Sequence, residues 1–280
     1  MALSPLVSTQ WLADKMASPD VVVVNAWLPP VGQPDVPPEY PQGHIPGAVF
    51  FDVNAVADKT SDLPHMLPPA HVFSSMMRQM GIGDGQTIVV YDGVGLYSAA
   101  RVWWMFRAMG VSQVFVLDGG LPKWKAEGRP IEDGAPAPRG ERHFTARLNN
   151  GLVADLDKVA QALRSGQQVL DARSRGRFAG RDPEPRAGLR SGHMPGALNL
   201  PFTELMEDGR LKPADDLAAA FDAAGIDRSR PVITSCGSGV TAAILSLALA
   251  ITGHDRSAVY DGSWTEWGGR EDMPLATGDD

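Results

Sequence analysis

Three stretches of this 280-residue chain recur in its second half, in the same order and at nearly the same spacing. "GHIPGAVFFD" at 43–52 returns as "GHMPGALNLP" at 192–201, which sets His44 opposite His193. "IVVYDGVG" at 88–95 returns as "VITSCGSG" at 232–239, setting Asp92 opposite Cys236, and "LDGGLPKW" at 117–124 returns as "YDGSWTEW" at 260–267. A repeat of this length duplicates a whole domain and does not stack a solenoid. The expected organisation is a first domain over 1–130, a linker over 131–150 and a second domain over 151–280. The linker expectation rests on "RPIEDGAPAPRGERHF" at 129–144, which is rich in Pro, Gly and charge and has no periodicity.

Within each copy, short β-branched runs alternate with helical patterns. "VVVVNAW", "IVVYD" and "VFVLDGG" are strands of the first copy, and "AARVWWMFRAMG" is a helix whose aromatic residues read as core-facing. The second copy repeats the pattern with "QVLDAR", "PVITSC", "SAVYDGS" and the helix "TAAILSLALAITG". Continuous Val/Ile runs separated by helices predict parallel strands buried on both faces. The fold class is therefore α/β, with two tandem domains, each a central parallel sheet flanked by helices. Asp118, Asp261, Trp124 and Trp267 occur in both copies and are assigned to maintaining the fold.

Charge and cysteine count narrow the function. Twenty-five basic residues against 33 acidic ones give a net charge of -8, which opposes general attraction to nucleic acid or to an anionic membrane. The apolar run at 240–251 is too short to span a bilayer, and the N-terminus lacks a basic segment followed by an apolar stretch. A cytoplasmic protein is expected. A single cysteine permits no intrachain disulfide and no C-x-x-C metal site.

That cysteine, Cys236, follows the strand "PVIT" and precedes a helix beginning near Thr241. Ligands of parallel sheets sit at this strand-to-helix turn. Gly237 and Gly239 are expected to curl the backbone with positive φ and to aim loop N–H groups at the sulfur, favouring a thiolate. A free cysteine at a strand end can also be a small buried hydrophobe, but the loop favours a nucleophile. The related loop of cysteine phosphatases needs an arginine where this chain has Ala242, so phosphoryl transfer is disfavoured. "GSG" fails the G-x-S-x-G hydrolase pattern. "GVGLYS" at 93–98 lacks the third glycine of a dinucleotide fingerprint and reads as a vestigial copy of the cysteine loop, with Tyr97 or Ser98 as candidate cleft residues.

These motifs resemble the tandem rhodanese-type sulfurtransferases and, among them, those that use 3-mercaptopyruvate. The resemblance runs over nearly the whole chain. It is carried by "CGSGVTA" at 236–242, "GHIPGAVFFD", "HMLP" at 65–68, "GLYSAARVWWMFRAMG" at 95–110, "GRFAGRDPEPR" at 176–186 and "YDGSW" at 260–264. It implies two rhodanese-like domains, the first without a catalytic cysteine and only the second chemically active. Cys236 would take sulfur from 3-mercaptopyruvate as a persulfide, release pyruvate, and pass the sulfur to a thiol acceptor, such as a thioredoxin-like protein or a small thiol, or to cyanide. No metal or organic cofactor is implied.

The resemblance further assigns Arg177 and Arg186 to the substrate carboxylate, where a guanidinium fork fits well; the residues alone read rather as a solvated charged loop, with Arg181, Asp182 and Glu184 pairing among themselves. Gly237, Gly239, Val240 and Thr241 would line the substrate. A proton relay is implied from Ser238, His44 and Asp35, with Glu39 as a rival acid; a turn-holding role shared by His44 and His193 is the competing reading. Within the family, thiosulfate is the alternative donor, although a dianion would want cations that the cysteine loop lacks. A protein-to-protein sulfur relay or a regulatory binding module is the alternative from another class.

Overall fold

The computed structural model describes residues 4–278 except 34 and 136. The chain divides into two compact units: Met1–Lys59 with Leu67–Asn149, and Thr60–Met66 with Asn150–Asp280. The short segment Thr60–Met66 therefore lies with the second unit although it comes from the first half of the sequence.

The first unit is built on strands β1 (Leu6–Val7), β2 (Val21–Trp27), β3 (Val49–Asp52), β4 (Thr87–Tyr91) and β5 (Val114–Leu117), in the order β1-β5-β4-β2-β3. Every pairing is parallel. The Val-rich run of β2 is buried at its five central positions, as expected of a strand covered on both faces. The helix Ser98–Ala108 packs on this sheet with almost every residue buried. Ser98 is 3% exposed and donates its hydroxyl to the Ala26 carbonyl at 2.9 Å, so it stabilises the sheet and is not a free cleft residue.

The second unit repeats the design. Strands β6 (Val153–Ala154), β7 (Gln168–Asp171) and β8 (Leu198–Asn199) are followed by a small antiparallel hairpin, β9 (Met206–Glu207) and β10 (Arg210–Leu211), and then by β11 (Val232–Ser235) and β12 (Ser257–Tyr260). The main sheet has the order β6-β12-β11-β7-β8, again all parallel. The apolar helix Ala242–Ile251 follows β11 directly. Its composition is explained by burial: eight consecutive residues from Ala242 to Leu249 are shielded from solvent.

The repeated tryptophans perform the same task in each unit. Trp124 donates its indole N–H to the Pro130 carbonyl and Trp267 to the Pro274 carbonyl, both at 2.8 Å. Both rings are buried, so each ties the chain beyond its helix to the core while satisfying its own polar atom. The described residues of 131–149 carry no helix or strand, and they are fastened to the first unit through Glu132 to His44, His143 to Asp84 and Arg147 to Met109. Among the described residues no helix is long and apolar enough to cross a membrane.

Candidate active site

Cys236 stands one residue beyond β11 and is 2% exposed. The following loop is held by residues just after β12. Ser263 Oγ accepts the N–H groups of Cys236 and Gly239, both at 3.1 Å, lies 4.0 Å from the Cys236 sulfur, and donates to the Tyr260 carbonyl at 2.7 Å. Trp264 and Thr265 donate their backbone N–H groups to the carbonyls of Cys236 and Gly237, both at 2.9 Å. The Thr265 hydroxyl also donates to Gly237 at 2.6 Å. The sequence reading aims the loop amides at the sulfur; two of them go to Ser263 instead. Ser263 is fully buried with φ 50°, a left-handed conformation that is unfavourable for a residue with a side chain.

The two loop glycines differ. Gly239 has φ 75°, as expected. Gly237 does not have a positive φ, which corrects the expectation, and its importance is instead the space it leaves. A Cβ there would lie 3.1 Å from Nη2 of Arg177 and 3.8 Å from Nη1 of Arg186. Both arginines therefore reach the backbone next to Cys236. Arg186 Nη2 donates to Ser238 Oγ at 3.2 Å and lies 3.4 Å from Nε2 of His65. Val240 is buried, and Thr241 precedes the helix that follows without a side-chain capping bond.

His65 is the site neighbour that the sequence reading passes over, although it is the histidine of "HMLP". It has φ 63°, another left-handed residue that is not glycine, and strain of this kind concentrates at functional positions. One available signal was that "HMLP" has no second copy.

Two of the expected relay residues, His44 and Asp35, belong to the first unit. His44 is 1% exposed, stacks on Tyr40 at 3.8 Å, has Nδ1 2.9 Å from the Tyr40 carbonyl, and places Nε2 3.7 Å from Glu132. His193 is held in the same way, stacked on Phe178 at 3.9 Å with Nδ1 2.9 Å from the Phe178 carbonyl. Each histidine also forms an isolated backbone bridge, His44 to Glu132 and His193 to Ala276. One turn-holding arrangement thus serves both copies. Asp35 is exposed on a turn.

The first unit shows what happened to the loop without a cysteine. Asp92, 1% exposed, turns its carboxylate into its own loop and accepts N–H groups from Val94, Tyr97 and Ala99 at 3.1, 2.6 and 2.9 Å. The amide cradle is filled by a carboxylate from the chain itself. Burial pushes the Asp92 carboxyl above the usual carboxylate range, against the stabilising amides. Glu39 lies over Gly93, and its carboxyl is raised by burial and then by the neighbouring Asp92.

Among the described residues no group of three or more His, Cys, Asp or Glu side chains is placed to hold a metal ion. The second unit's loop joins a lone thiol to two guanidinium groups, an imidazole and a hydroxyl. This set suits nucleophilic attack on a sulfur carried by an anionic substrate.

Comparison with known proteins agrees with this chemistry. The Rhodanese-like domain matches residues 8–127 and again 155–270. The chain is 44% identical to the 3-mercaptopyruvate sulfurtransferase of Escherichia coli K12 over 98% of its own length and 99% of that protein's. It is 40% identical to the mitochondrial thiosulfate/3-mercaptopyruvate sulfurtransferase 1 of Arabidopsis thaliana, over 97% of this chain and 78% of that one. The crystal structure of SseA from Escherichia coli, described with the rhodanese fold of 3-mercaptopyruvate sulfotransferases, superposes with a TM-score of 0.86 at 42% identity, covering 94% of this chain and 99% of that one. With both halves matched and full-length relatives at this identity, the chain belongs to the rhodanese family as a tandem two-domain sulfurtransferase.

Proposed function

We propose that the protein is a 3-mercaptopyruvate sulfurtransferase that works through a persulfide on Cys236. The observation that carries this reading is the approach of Arg177 and Arg186 to Gly237, which puts two carboxylate-binding forks beside the only thiol in the chain. The Cys236 thiolate attacks the donor sulfur and forms the S–S bond. The carbon–sulfur bond breaks, and its electron pair leaves with the pyruvate enolate, which takes a proton at carbon. An acceptor thiol or cyanide then removes the outer sulfur and regenerates the thiolate.

The contacts of Arg186 with both Ser238 and His65 favour His65 over His44 as the imidazole that delivers this proton, with Ser238 beside it. We assign the acceptor to a small thiol or a thioredoxin-like protein, and the compartment to the cytoplasm, where thiols are kept reduced.

Thiosulfate is the second reading, favoured by the name that the Arabidopsis relative carries. It is opposed by the cysteine loop, which has no basic residue from Cys236 to Ala242. Assay of both donors with cyanide as acceptor decides between them. Pyruvate release from mercaptopyruvate should exceed thiocyanate formation from thiosulfate at equal donor concentration; turnover of thiosulfate alone would replace the first reading with the second.

A further inference from the structure

Arg177 does not meet the cysteine loop as a loose cation. Its Nε and Nη2 donate to the two oxygens of Glu184, at 3.3 and 2.6 Å. The Glu184 side chain is 1% exposed, and its Oε1 also accepts from Arg173 Nη1 at 2.8 Å. Arg173 is equally buried. It donates through Nε and Nη2 to Asp171 and through Nη2 to the Gly192 carbonyl, and its guanidinium lies 4.3 Å from the centre of the Trp264 ring. Asp171 ends β7 and pairs in register with Ser235, the residue before Cys236. Burial alone would lower the Arg173 pKa, but Asp171 and Glu184 outweigh it and hold the guanidinium charged.

Two carboxylates and two guanidinium groups thus alternate from the sheet to the substrate loop, and their charges cancel. A buried carboxylate is costly unless it is paired, and sulfur transfer at Cys236 makes no direct use of Glu184. What Glu184 controls is Arg177: its two-point grip fixes the direction of the fork, and its charge offsets the one Arg177 offers to a substrate. A doubly charged donor gains about twice as much as a singly charged one from each uncompensated positive charge.

We propose that Glu184 is a positioning residue that sets donor specificity, aiming Arg177 at Gly237 while cancelling its charge, so that the site suits a singly charged carboxylate donor over doubly charged thiosulfate. This rests on Arg177 and Arg186 being the donor site. The remaining N–H groups of Arg177 bind by direction and the net potential stays low, a combination that discriminates against the dianion.

The test is steady-state turnover of both donors, with cyanide as acceptor, in Glu184→Gln, Glu184→Asp, Arg177→Gln and the double variant Arg177→Gln/Glu184→Gln. In Glu184→Gln the ratio of kcat/KM for thiosulfate to that for mercaptopyruvate rises about tenfold, and this gain is absent when Arg177 is already Gln. Glu184→Asp keeps the charge but shortens the reach. It raises the KM for mercaptopyruvate several-fold and leaves the donor ratio within about twofold of wild type. An unchanged ratio in Glu184→Gln, or a gain that persists without Arg177, overturns the role of Glu184 while the arginine site stands. Should Glu184→Gln fail to fold, an unchanged KM in Glu184→Asp overturns it. Unaltered KM values for both donors in Arg177→Gln would remove the premise itself.

Discussion

Ser263 occupies the place in the second unit that Gly120 occupies in the first, and both are left-handed, with φ of 50° and 53°. At Gly120 a Cβ would lie 2.8 Å from the Asp92 carbonyl and 2.9 Å from that of Gly95, so glycine fits the loop closed around Asp92. In the second unit a side chain enters the same space, and its hydroxyl takes the N–H groups of Cys236 and Gly239. The active loop is thus organised by a serine in a conformation that would favour glycine.

Removing that hydroxyl takes a hydrogen bond from the N–H groups of Cys236 and Gly239, and each buried donor left unsatisfied costs about 1–3 kcal/mol. Ser263→Ala should therefore lower unfolding free energy by about 2–6 kcal/mol. Ser263→Gly should lose about 1 kcal/mol less, because glycine relieves the left-handed strain. Urea titration with the m-value held common to the variants reads both, and equal losses would show that the conformation carries no strain.

Gly237→Ala separates the site from the fold. The backbone there tolerates a side chain, since its φ is not in the left-handed range, but the methyl would press on the end of Arg177 3.1 Å away. The KM for mercaptopyruvate should rise several-fold while stability changes by less than about 1 kcal/mol. An unaltered KM would show that Arg177 does not need this approach to bind substrate.

Arg177→Gln and Arg186→Gln should not behave alike. Both lose a fork for the carboxylate and should raise KM by about tenfold or more. Arg186 also touches Ser238 and His65, so its loss should lower kcat as well, whereas Arg177→Gln should leave kcat near wild type. Steady-state kinetics with mercaptopyruvate shows whether the two effects divide in this way.

The Asp92 cradle predicts a pH dependence of stability. Its carboxyl is raised in the folded state, so the folded protein holds that proton more tightly than the unfolded chain does. This contribution therefore favours folding at low pH and is lost as pH climbs from the ordinary carboxylate value through the raised folded one. Asp92→Asn has no such group, so the stability of wild type relative to the variant should fall as pH rises above the ordinary carboxylate range of about 4. A constant difference would mean that the amides fully offset the burial.

Much of this was legible in the sequence because buried parallel strands and duplicated motifs leave strong signals. The expected strand "VVVVNAW" coincides with Val21–Trp27, and the helix read from "TAAILSLALAITG" is observed at Ala242–Ile251. The two-residue edge strands Leu6–Val7, Val153–Ala154 and Leu198–Asn199 escaped notice, since two residues carry no period. Cys236 stood out by the chemistry of its loop, and the two arginines by resemblance. Ser263 did not, because its role arises from a backbone conformation and from a loop 27 residues earlier in the chain. His65 was hidden by the more conspicuous repeat of His44 and His193, each stacked on an aromatic ring with Nδ1 beside that residue's carbonyl. Glu184 could be read as one charge of a solvated loop until its side chain was seen to be buried between two arginines.

The central claim is a covalent sulfur on Cys236, and intact-protein mass spectrometry tests it most directly. The reduced protein is mixed with mercaptopyruvate without an acceptor, then with cyanide. The predicted result is a gain of one sulfur atom, located on the peptide containing Cys236, absent in Cys236→Ser and removed by cyanide as thiocyanate. Pyruvate release at an undiminished rate in Cys236→Ser, or turnover by wild type with no sulfur retained on the protein, would contradict the persulfide account.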